Sequence, residues 1–70
     1  MKITDTKSLG EEIRARRKEL GYTQLKITEM TGISASFLSD LENGKTTVEI
    51  GKAIDLINLL GMNLNLENRK

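Results

Sequence analysis

Seventy residues carrying 11 Lys plus Arg against 10 Asp plus Glu make one small domain, residues 1–70, of net charge +1. A chain of this size buries only about 60% of its unfolded surface, so a homodimer is expected. With no cysteine and no histidine it lacks disulfides, thiolate nucleophiles, the usual zinc ligands and the commonest general base, so neither an enzyme nor a metal or other cofactor is expected.

No apolar run approaches the roughly 20 residues that span a bilayer, and no basic-then-apolar leader precedes the first helix. A soluble, cytoplasmic chain with no membrane partner is expected. A net charge of +1 also means that any DNA binding rests on where cations are placed, not on their excess.

In chain order, Lys2-Ile3-Thr4 suits a short extended piece, and Asp5, Thr6 and Ser8 compete to cap a first helix that starts between residues 5 and 8 and ends at Gly21. Ser8 and Glu11 stand at capping-box spacing, although Gly10 lowers helix propensity by about 1 kcal/mol relative to alanine. Leu9, Ile13 and Leu20 mark one face, with Arg16 and Arg17 at its edge. Arg14, Arg17 and Lys18 stand among glutamates, with the cations toward the C-terminus, where the helix dipole favours them. The plainest account of that surface is a solvated charged face.

Residues Thr23 to Gly44 read as two short helices joined by a tight turn at Gly32. Each is opened by a hydroxyl cap, Thr23 and then Ser34. Tyr22 with Ile27, and Ile33 with Leu38, repeat the spacing of a hydrophobic staple. Gly32 meets the need for left-handed backbone after the first of the pair. This is a helix-turn-helix. The first of the two, about 24–31, turns Ile27 inward; the second, about 35–43, turns Leu38 and Leu41 inward and leaves Ser34, Ala35, Ser36 and Ser39 together on a small, polar outer side. A major groove about 12 Å wide accepts a helix whose leading turn carries no bulk. Ser34 has a local duty as cap whether or not it meets a base, whereas Ala35 and Ser36 have none.

Thr46 and Glu49 stand at capping-box spacing before a fourth helix that runs to Leu60, with Ile50, Ala53, Ile54, Ile57 and Leu60 on its stripe and Leu56 and Leu59 widening it. A stripe this wide packs on two surfaces, one its own core and the other a second subunit, which places Ile57 and Leu60 among the dimerisation residues. After Gly61, Met62, Leu64 and Leu66 alternate with Asn63, Asn65 and Glu67, the period of a strand over residues 62–67. A lone strand leaves its ladder unsatisfied, so pairing with a symmetry mate is expected.

Leu9-Gly10, Ile13 through Gly21, Thr23-Gln24, Gly32-Ile33-Ser34 and Phe37 through Lys45 resemble the phage-repressor-type (Cro, or xenobiotic-response-element) helix-turn-helix family. Within it, the ending Met62 to Glu67 is similar to the short HipB-like and Y4mF-like antitoxins. The resemblance implies an all-α, lambda-repressor-like domain of four to five helices, with a core at about residues 9–61 and a short C-terminal strand that builds a dimer ribbon. Thr28 departs from the family, which usually has alanine there, and Thr31 replaces a common alanine or serine.

The same resemblance implies that Gln24 bonds a phosphate and braces the recognition helix. Ser34, Ala35, Ser36, Ser39 and Asp40 occupy groove-facing positions, and Asn43, Lys45, Thr46 and Thr47 follow where the duplex backbone passes. Serine and alanine discriminate more softly than a bidentate side chain, so some reliance on DNA shape is expected. Asp40 would repel phosphate; it either accepts from a cytosine amino group or turns to a cation such as Lys45. The function implied is a homodimeric repressor of double-stranded operator DNA, with a HipA-like serine/threonine kinase toxin as a second partner. A stand-alone repressor, or a protein-interaction module on the same scaffold, are the alternatives.

Overall fold

Asp5 begins the first helix because its carboxylate accepts the Ser8 backbone N–H at 2.7 Å while the Ser8 hydroxyl faces back toward the cap backbone N–H. Ser8 is thus the third residue of a capping box headed by Asp5, and the Ser8–Glu11 pairing expected from spacing is not the one used. In the computed structural model, which describes residues 2–69, α1 is Thr6–Glu19, α2 Gln24–Thr31, α3 Ala35–Glu42 and α4 Ile50–Leu59. Met1 and Lys70, the ends of the expected single domain, lie outside the described residues.

Ile13, Ile27, Leu38, Leu41, Ala53, Leu56, Ile57 and Leu60 form the core, with at least one residue from or at the end of every helix. Each large aliphatic side chain there contributes roughly 1.5–3 kcal/mol relative to exposure. Tyr22 and Ile33 pack against this core from the two helix entrances, the places given by the repeated staple. Gly32 caps α2 at φ +77°, and its N–H donates to the Thr28 carbonyl. That reversal carries the chain steeply into α3.

α1 crosses closely on α3. A Cβ built on Gly10 would stand 2.3 Å from the Leu41 carbonyl oxygen and 2.7 Å from that of Glu42. The glycine that weakens α1 locally is therefore the residue that lets α3 approach.

Three expectations change. Leu20 is the exposed C-cap of α1, not part of its buried face. α4 starts at Ile50 with Glu49 as a cap that makes no side-chain bond, so the Thr46–Glu49 box does not form. The rotation of α4 also differs: Ala53, Leu56, Ile57 and Leu60 point inward, while Ile50, Ile54 and Leu59 remain exposed. Leu56 rather than Ile54 completes the i, i+3, i+4, i+7 stripe.

Residues 62–69 carry no regular secondary structure, so the strand expected at 62–67 is absent from the single chain. Ile3 and Leu64 line one small groove of about 210 Å³ with Leu9, Ile13, Ile57 and Met62, but among the described residues no strand is formed there. A strand exists only through a ladder, and the nearby N-terminal segment does not supply one. No helix among the described residues is long and apolar enough to cross a membrane.

Candidate nucleic-acid interface

The position of α3 is set by a buried ion pair that local spacing does not reveal. Arg17 on α1 donates through Nε to Glu42 Oε2 at 2.7 Å and through Nη2 to Glu42 Oε1 at 2.9 Å. Its Nη1 donates to the Tyr22 carbonyl at 2.8 Å, and Gln24 Nε2 donates to Glu42 Oε1 at 3.2 Å. Both charged side chains are buried, and the bidentate geometry with two further bonds meets most of their hydrogen-bonding capacity. The bond to Glu42 holds the Arg17 guanidinium above its ordinary pKa, against the opposing effect of burial.

This network corrects one reading of the charged face of α1. Arg17 points into the protein, leaving Arg14 and Lys18 exposed. Arg16 is also engaged: Nε donates to the Leu60 carbonyl at 2.9 Å, and the guanidinium pairs with Glu19. The available signal was the stripe Gly10, Ile13, Arg17, which follows i, i+3, i+7 and is buried throughout. Gln24 bonds Glu42 at the far end of α3.

The opposite face of α3 is uncovered. Ser34 caps the helix by accepting the Phe37 N–H at 3.0 Å, and Ser34, Ala35 and Ser36 are exposed. Ser36, Ser39, Asp40 and Asn43 continue along the helix at i, i+3, i+4 and i+7, with Ser39 and Asp40 half-buried and Asn43 exposed. Asn43 Nδ2 donates to Ser39 Oγ at 3.4 Å. Lys45, Thr46 and Thr47 are exposed in the turn that follows. The Lys45 ammonium lies 3.4 Å from Asp40 Oδ2, so in the free chain Asp40 turns to the neighbouring cation.

The residues expected at a dimer contact divide. Ile57 and Leu60 lie in the chain's own core; Met62 is half-buried, and Leu64 and Leu66 are exposed, Leu66 by 97%.

The helix-turn-helix family model matches residues 13–66. An uncharacterized HTH-type transcriptional regulator, y4mF, of Sinorhizobium fredii is 31% identical over 65 residues, covering 93% of this chain and 86% of that protein. The ImmF control region 10 kDa protein of Bacillus phage phi105 is 38% identical over 60 residues, covering 81% of this chain and 67% of that protein. Among solved structures, a chain of a HipB–O4 20mer complex superposes with a TM-score of 0.87 at 21% identity, covering 100% of this chain and 99% of that one. A chain of a HipA–HipB–O2–O3 complex gives the same TM-score, identity and coverage. These two likenesses are of fold. An N-capped, outward-facing second helix, a glycine reversal before it and a family match over most of the length agree: this chain belongs to the phage-repressor-type helix-turn-helix family.

Proposed function

We propose that this protein is a sequence-specific DNA-binding transcriptional repressor that acts as a homodimer. The observation that carries this reading is the exposed Ser34-Ala35-Ser36 tip of α3 on a helix whose other face is held by Arg17, Glu42 and Gln24. A tip without bulk enters a major groove, where serine hydroxyls bond base edges and the Ala35 methyl meets a thymine methyl. Ser39 extends that contact. Gln24, Asn43, Lys45, Thr46 and Thr47 bond phosphates and fix register without reading sequence.

Pairing of residues 62–67 from two copies would satisfy the unpaired backbone and cover Leu64 and Leu66. Ile57 and Leu60 then support that ribbon from the core beneath it. Two such copies present recognition helices about 34 Å apart, matching successive major grooves of a near-palindromic operator. A cytoplasmic protein associated with the bacterial nucleoid follows from this reading.

The fold shared with HipB chains, one of them from a complex that includes HipA, supports a second activity. In it the protein is the antitoxin of an operon it represses, and it binds a HipA-like serine/threonine kinase toxin. Binding to DNA from immediately upstream of the coding sequence tests the first activity: Ser36→Glu abolishes specific binding, and Lys45→Ala weakens binding to every sequence and flattens its salt dependence. Unaltered binding by both variants contradicts the assignment. Capture of the product of a neighbouring kinase-like reading frame tests the second, and failure to capture it favours the stand-alone repressor.

A further inference from the structure

The outward surface from Ser34 through the turn after α3 holds one anion, Asp40, and one cation, Lys45, and the two meet. Lys45 Nζ lies 3.4 Å from Asp40 Oδ2, with both side chains about half exposed. The Lys45 backbone N–H also donates to the Asp40 carbonyl oxygen at 3.0 Å. The root of Lys45 is thus tied to the residue whose carboxylate holds its tip, while the four-carbon stem leaves the ammonium free to swing away.

We propose that Asp40 competes intramolecularly with DNA phosphate for Lys45, and so sets the strength of the sequence-independent part of DNA binding. This rests on the DNA-binding reading above and deepens it. An exposed ion pair is weak enough for a phosphate to displace it, but displacement forfeits the attraction between Asp40 and Lys45, which offsets part of what the phosphate contact contributes. The penalty falls on every sequence alike because the contact it opposes is to the backbone. Binding then depends more on what the Ser34-Ala35-Ser36 tip finds in the groove. Asp40 in this role is a positioning residue for Lys45 and not a base reader.

The test measures binding of the full chain to a duplex from upstream of the coding sequence and to a random-sequence duplex of equal length, across a range of salt. Wild type is compared with Asp40→Asn, Lys45→Ala and the double variant. Asp40→Asn is expected to tighten binding to both duplexes on the order of threefold at low salt, and to steepen the logarithmic salt slope by up to about 0.9 for each lysine released. The double variant should bind like Lys45→Ala.

Asp40→Asn losing affinity for the upstream duplex alone would instead mark a base contact and overturn the proposal. Equal tightening in the Lys45→Ala background would overturn it too, by showing that Asp40 acts through general repulsion. If wild type binds and Asp40→Asn is indistinguishable from it, the competition is refuted and the DNA-binding reading stands. If wild type binds neither duplex at any salt, both fall together.

Discussion

Thr28 carries the one buried side-chain oxygen without a hydrogen-bond partner among the described residues. An orphaned hydroxyl costs about 1–3 kcal/mol, so Thr28→Val, which keeps the shape and removes the polar atom, is expected to stabilise the fold by about 1 kcal/mol. The urea midpoint should rise at constant slope, and a fall would show that the hydroxyl has a partner in solution. Arg17 and Glu42 present the opposite case. Glu42→Ala leaves a guanidinium buried and unpaired, which costs on the order of 3–5 kcal/mol and in so small a domain should leave much of the chain unfolded by circular dichroism. Replacing both residues by apolar side chains of similar volume should recover most of that loss. The stripe Gly10, Ile13, Arg17 hinted that Arg17 turns inward, but its pairing was not legible in the sequence, because the two partners stand 25 positions apart.

At the scale of the helix, legibility follows range. The caps at Thr23 and Ser34 and the reversal at Gly32 were readable because each is settled within four or five residues. The face of α4 was not, since a stripe through Ile50 and Ile54 and one through Leu56 and Leu60 both satisfy helical spacing, and packing against the other helices decides between them. Gly10 reads from sequence as a local weakness, yet its contact with α3 is a condition of the crossing. Gly10→Ala is accordingly expected to destabilise by about 1–3 kcal/mol, despite the roughly 1 kcal/mol by which alanine favours a helix; a gain in thermal midpoint would mean that the helices separate freely. The start of α1 adds a pH dependence. The Ser8 backbone N–H, and then its side chain, hold the Asp5 carboxyl below its ordinary value of 3.8. Its stabilising contribution is therefore complete above that ordinary value and is lost as pH falls through the lowered one. Asp5→Asn keeps a capping acceptor that does not titrate, so its stability should fall less on acidification than that of wild type.

For the molecule as a whole, the sequence indicated the all-α class, four helices and the outward tip of α3. It overstated the C-terminal strand, because alternation marks a segment suited to a ladder without supplying its partner. If two copies supply each other, removing residues 62–70 should lower the association constant measured by sedimentation, and an unchanged constant would contradict the ribbon. The central claim concerns the tip itself. Its most direct test is the affinity of Ala35→Glu for the upstream duplex, beside a circular dichroism spectrum of the same sample. The account predicts an unchanged helical spectrum, since Ala35 is exposed, together with loss of specific binding. Wild-type affinity from that folded variant would contradict it.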